Sequence, residues 1–196
     1  MNFFTNVFDI FFPPRDTELI VRNTDYALLF SFLKPSIISI QHTQILTLLS
    51  YRLPLVQAFI IEAKFHNNKK AQKFLGNIIR DAIHNRNVTY IPLPLGLKRE
   101  KERGYNQIEE ILKFSELFFD SQLLFRARET APQTSLGRKE RLLNMIGAFA
   151  IRTSPNSETT YVLIDDVVTT GTTLLSAHET LIKAGAEDVF LLALAH

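Results

Sequence analysis

The chain of 196 residues has no cysteine and no tryptophan. Without thiols there is no disulfide framework, no cysteine nucleophile, and no thiolate zinc or iron–sulfur site. A reducing, cytoplasmic setting fits that composition. A long uncharged apolar run is also missing: the nearest candidate, ILTLLSYRLPLVQAFII, is interrupted by Arg52 and Pro54, so no membrane insertion is expected. The N-terminal MNFFTNVFDIFF lacks a basic flank, contains Asp9 and runs into Pro13-Pro14, which does not suit a cleaved targeting peptide. Common catalytic signatures are absent too. There is no G-x-x-x-x-G-K-[ST], no G-x-G-x-x-G and no nucleophile elbow, and His42, His66 and His84 have no partner carboxylate at a metal-binding spacing. His178 reads as a structural or exposed side chain, and His196 as the end of the chain.

What is present suits an ordinary globular α/β protein, with 46% apolar and 21% charged residues. The net charge of +2 is unevenly spread: residues 64–141 hold 16 basic and 9 acidic side chains, while residues 142–196 hold 2 and 6. A basic middle points to an anionic partner, either a phosphorylated small molecule or nucleic acid. Residues 1–58, rich in Phe, Leu and Ile and broken by prolines, read as a small helical appendage, with 59–196 as the main domain.

Ala71, Phe74, Leu75, Ile78, Ile79, Ala82 and Ile83 recur at helical spacing and predict an amphipathic helix. VTYIPLPL (88–95) predicts a strand that leaves the sheet at Pro92 or Pro94, followed by a basic loop, GLKREKERGYN. Asn106, with Glu109 three residues on, predicts a capped helix over 107–119. LLFRAR and GAFAIR are further strand candidates, with a short helix between them at 136–145. YVLID, LLSAHETLIKA and DVFLLALA predict a terminal βαβ unit, with Thr172 or Thr173 capping its helix. Such a unit belongs to an open, mostly parallel sheet whose ligand sits at the carboxyl ends of the strands.

At that place stands DDVVTTGTT (165–173). A Thr/Gly loop opening a helix offers amides and hydroxyls to a monophosphate, aided by the helix dipole. Carboxylates beside a phosphate cradle are explained by sugar hydroxyls or a hydrated Mg²⁺. Together they describe a ribose 5-phosphate site.

VLIDDVVTTGTTL resembles the phosphoribosyl pyrophosphate (PRPP) motif of type I phosphoribosyltransferases. IPLPLGLKREKERGYNQ, RARETAPQTSLGRKERLLNMIGAF and AKFHNNKKAQKFLG narrow the resemblance to the ComF (competence protein F) family, whose N-terminal Cys-rich zinc module has no counterpart here. The resemblance implies a phosphoribosyltransferase-like α/β fold with a flexible hood. It implies Asp165 and Asp166 on the ribose hydroxyls, contacting Mg²⁺ indirectly, and Thr169, Thr170, Gly171, Thr172 and Thr173 on the 5-phosphate. Lys98, Arg99 and Arg103 would face pyrophosphate, with Gly104 allowing close backbone approach. Arg128, Thr130, Gln133, Arg138, Arg141 and Asn144 would belong to the hood. The cofactor implied is Mg²⁺ with PRPP, and no zinc. As an enzyme the protein would displace pyrophosphate from PRPP, catalysis resting on Asp165, Asp166 and Arg103. The alternative is a non-catalytic PRPP- or nucleotide-binding accessory of DNA uptake in natural competence, contacting single-stranded DNA and an uptake ATPase.

Overall fold

A computed structural model describes residues 13–83, 88–128 and 147–196. In chain order its elements are α1 (Asp16–Asn23), α2 (Tyr26–Ser31), β1 (Ser36–Ile40), β2 (Thr43–Leu49), α3 (Pro54–Phe65), α4 (Lys69–Ala82), β3 (Thr89–Pro92), α5 (Leu97–Arg103), α6 (Gln107–Leu112), β4 (Leu124–Arg126), β5 (Phe149–Ile151), β6 (Tyr161–Val167), α7 (Thr172–Lys183) and β7 (Val189–Ala195). The main sheet has the order β1-β2-β7-β6-β3. β2, β7, β6 and β3 are parallel and β1 is an antiparallel edge. β4 and β5 form a separate antiparallel pair. This is the α/β class with a mostly parallel sheet and flanking helices, and the expected βαβ unit lies at its centre. Among the described residues no helix is long and apolar enough to cross a membrane.

Alternation along β6 divides the interior in two. Val162 and Ile164 face a core built with α1 to α4 and α6. Tyr161 and Leu163 face a second core with α7 and the β4–β5 pair. The predicted stripe on α4 is the best-buried helical face: Ala71, Leu75, Ile78 and Ile79 are all fully buried. Removal from water contributes about 1.5–3 kcal/mol for each of its large side chains.

The first 58 residues depart from the expected helical appendage. α1 and α2 are helical, but residues 36–49 form a hairpin that joins the main sheet through β2 and β7. Its two-residue turn is Gln41–His42, both at positive φ, where Asn-Gly is the recognisable signal. Glu62 on α3 fastens α1 to this body. Its side chain is fully buried and accepts hydrogen bonds from Arg15, Thr17 and Asn68. Burial works to raise its pKa, but those donors outweigh burial and hold the carboxyl below its ordinary value.

α4 and α6 cross at Gly76, where a Cβ would stand 2.6 Å from the Ile111 carbonyl oxygen and 3.0 Å from Phe114 Cβ. Gly76→Ala should therefore cost about 1–3 kcal/mol by overpacking. Urea unfolding will measure this, and unchanged stability would mean that the two helices can separate freely.

Candidate functional site

The carboxyl ends of the parallel strands open into a polar cleft. Asp165, Asp166 and the 167–174 segment line one side, and residues 93–96 with Arg99 and Arg103 of α5 line the other. Lys64 at the end of α3, Gln107 at the start of α6 and Arg126 of β4 complete the wall. Nine of the expected residues thus share one cavity: both acids, Arg99, Arg103 and Thr169 to Thr173.

The consecutive acids are not a matched pair. Asp166 follows Val162 and Ile164 onto the helix-rich face and is only 4% exposed. Its Oδ2 meets Lys64 Nζ at 2.5 Å and accepts from Gln107 Nε2 at 2.9 Å, while Oδ1 accepts the Val167 amide. Asp165 lies on the opposite face of the strand, its Oδ1 accepting the Asp166 amide at 2.8 Å. Burial, then the charge of Asp166, pushes the Asp165 carboxyl up to about 7, with Lys64 opposing.

Gln107 is placed by its own helix. Asn106 caps α6, accepting from the Ile108 and Glu109 amides, and its Nδ2 donates to the Leu93 carbonyl, tying α6 to the exit of β3. Arg103 Nη1 donates to Gln107 Oε1, extending the chain from Lys64 through Asp166 and Gln107 to Arg103. Burial pulls the Arg103 guanidinium below its ordinary pKa and Asp166 opposes that shift; arginine remains charged at neutral pH all the same.

The loop into α7 is shaped by Gly171, at φ +68, where a Cβ would fall 2.7 Å from Ile40 Cδ1 and 3.3 Å from Ile45 Cδ1. Gly171 itself is the N-cap, in place of the expected Thr172 or Thr173, and has no side chain with which to cap the helix. Thr170 and Thr172 hydroxyls pair at 2.9 Å. Four cationic side chains and the start of α7 therefore surround two carboxyls, one of which is pushed up to about 7. That balance suits a multiply charged anion.

Other expectations differ. The basic stretch after β3 is the helix α5 rather than a loop, and Gly104 is its left-handed C-cap with no atom within 4 Å of a built Cβ. Gly104 serves the turn, since it does not line the cleft. Lys98 lies outside the lining, its ammonium 3.9 Å from Glu102. Arg128 is exposed and also outside the lining, and Arg126 stands there instead. Thr130, Gln133, Arg138, Arg141, Asn144 and the helix expected at 136–145 lie outside the described residues. His196 Nδ1 lies 3.0 Å from the Val168 carbonyl oxygen, and its backbone pairs with Leu49 and Tyr51. Lys64 and Gln107 fall within two of the segments that carry the family resemblance, AKFHNNKKAQKFLG and IPLPLGLKREKERGYNQ, but neither was among the expected site residues.

For a divalent cation the donor set is lean. Asp166 is already occupied by Lys64 and Gln107, and among the described residues no group of three or more His, Asp or Glu side chains could cage a metal. The residues fit an ion that arrives with phosphates and meets Asp165 through water, not a resident metal centre.

No protein-family model matches the chain. Competence protein F of Haemophilus influenzae is 31% identical over 152 residues, 72% of this chain and 66% of that protein. DNA utilization protein YhgH of Escherichia coli O157:H7 is 28% identical over 158 residues, 74% of this chain and 69% of its own. The chain thus spans about two thirds of the length of these relatives. Among solved structures, the glutamine PRPP amidotransferase from B. subtilis, complexed with ADP and GMP, is similar over 68% of this chain and 30% of its own, at 13% identity and a TM-score of 0.44.

Two measurements probe the carboxyls. Lys64→Met should cost about 3 kcal/mol because it leaves Asp166 buried and uncompensated, but far less in an Asp166→Asn background. Strict additivity in a four-protein urea series would deny the pairing. For Asp165 the folded pKa exceeds the unfolded one of about 3.9. Between those values the unfolded chain loses its proton first, so this group takes stability away as pH rises from about 4 to 7. Asp165→Asn should accordingly raise Tm more at pH 8 than at pH 5; an equal shift at both would contradict the raised pKa.

Proposed function

This chain belongs to the competence protein F (ComF) family, and we propose that its cleft binds PRPP as the magnesium salt and presents C1 of the ribose to an acceptor that displaces pyrophosphate. The supporting observation is convergence: the Thr/Gly loop with Asp165 and the α5 arginines, far from them in sequence, line one cavity. The 169–173 loop and the N-terminus of α7 take the 5-phosphate. Asp165 takes a ribose hydroxyl or the waters of the arriving Mg²⁺, which neutralises part of the phosphate charge. Asp166 anchors the opposite wall through Lys64 and Gln107.

Arg99 and Arg103 face the leaving group. As the bond from C1 to the pyrophosphate oxygen breaks, its electron pair goes to pyrophosphate, while a lone pair of the acceptor forms the new bond to C1. Their guanidinium groups, that of Arg103 held by Gln107, offset the charge that grows on the departing oxygen. The protein acts by positioning and electrostatics, with no general base among the side chains named.

A second reading has support in the relatives' names, one a competence protein and one a DNA utilization protein. In it the fold binds PRPP or a nucleotide without turnover and serves DNA uptake through single-stranded DNA or an uptake ATPase. The basic middle, 16 positive against 9 negative side chains over residues 64–141, is compatible with both readings.

Calorimetric titration with Mg-PRPP tests the site. Asp165→Asn with Asp166→Asn should weaken binding at least about tenfold, because one substitution removes the ribose or Mg²⁺-water contact and the other releases Lys64 and Gln107 from the wall, with circular dichroism verifying the fold. Unaltered affinity would refute the assignment. Pyrophosphate release with bases, amines and nucleic acids separates the readings: release marks the enzyme, whereas salt-dependent single-strand binding without release marks the accessory.

A further inference from the structure

Phe65 ends α3 with 58% of its surface exposed. The backbone that carries it is nonetheless pinned. Tyr105 Oη donates to the Lys64 carbonyl at 3.0 Å and accepts the Asn67 amide at 2.8 Å. Asn67 turns the chain at φ +50, and its side-chain oxygen accepts from Gln72 Nε2 at 2.9 Å and Lys69 Nζ at 3.0 Å. An aromatic ring left in water on a fixed turn loses little freedom when something stacks on it.

Two cations of the cleft lie over this ring. The Arg103 guanidinium carbon is 5.2 Å from its centroid and Lys64 Nζ is 5.8 Å away. Phe118 and Phe190 are comparably exposed, but the cleft's cations lie over neither. Lys64 also stands 2.5 Å from Asp166, so one ammonium group spans the exposed ring and the carboxyl wall of the cleft. A ligand stacked on Phe65 is therefore next to whatever the cleft holds.

We propose that Phe65 is the platform for the acceptor, a free heteroaromatic base that stacks on its ring beside bound PRPP; the acceptor role rests on the PRPP reading above. The chemistry separates acceptor classes. A protonated amine would approach two like charges, Lys64 and Arg103. A planar base offers a π-face to the phenyl ring and carbonyl or ring-nitrogen acceptors to both cations. The absence of tryptophan leaves the protein without indole emission, so a fluorescent base can be followed directly.

The probe is 2-aminopurine, titrated as the free base with and without Mg-PRPP, and separately within a short single-stranded oligonucleotide. Saturable quenching of the free base is expected. Phe65→Leu should weaken it roughly tenfold or more, the worth of one base–aromatic stack, while Phe65→Trp, read by calorimetry, retains it. Calorimetric PRPP affinity should change less than about twofold in both variants, because stacking is assigned to the base alone. The proposal is overturned if Phe65→Leu binds the base as wild type does, if free base never binds, or if only the oligonucleotide is quenched, which assigns the ring to nucleic acid. Phe65-dependent quenching without any PRPP binding upholds the base platform and refutes the PRPP reading instead.

Discussion

A carboxylate that is 4% exposed at the end of a central strand must be compensated, and the placement of Asp166 organises much of the molecule. Leaving such a group unpaired costs several kcal/mol, so Lys64 and Gln107 have to reach it from two different helices. Each is held by a second layer. Lys64 sits on a turn fixed by Tyr105 and by the Glu62 cluster that also retains α1. Gln107 starts a helix capped by Asn106 and tied to β3. The interactions that make this burial tolerable also set the positions of Lys64 and Arg103 on the cleft wall.

A second dependence runs through the opposite face. The loop into α7 can follow its path because Gly171 has no Cβ, and Ile40 and Ile45 of the N-terminal hairpin fill the space one would need. The hairpin thus shapes the Thr/Gly loop of the cleft through apolar side chains. In a chain with no cysteine to staple its N-terminal part, β pairing to β7 and apolar packing on the loop hold that part to the sheet.

These dependences explain what could be read from sequence. The βαβ unit, the α4 stripe and the Asn106 cap were legible because each rests on local periodicity or a local hydrogen bond. The Thr/Gly loop and both acids were legible because they are contiguous. The β1–β2 hairpin was not, since its turn places Gln41 and His42 where Asn and Gly are the usual signal. The role of Lys64 was not, because its place beside an aromatic in AKFHNNKKAQKFLG does not show that it reaches Asp166, 102 positions away. α5 read as a loop because its seven residues bury no side chain and leave no apolar stripe. Gly104, read as a point of ligand approach, serves instead as the cap that ends that helix.

The paired acids gain meaning from the pleat. Two consecutive residues of a strand project to opposite faces, so Asp165-Asp166 cannot act as a single two-pronged ligand while β6 stays extended through Val167. One acid must belong to each layer. Asp166, caught by Lys64 and Gln107, holds the helix layer to the sheet. Asp165 has no cation as its direct partner, and its proton is retained to near neutrality by burial and by the charge next to it. A neutral carboxyl can donate as well as accept a hydrogen bond. The two acids of one cleft are thus served differently: Asp166 is met from behind by Lys64 and Gln107, and Asp165, on the other face, is pushed towards its neutral form by burial and by its neighbour.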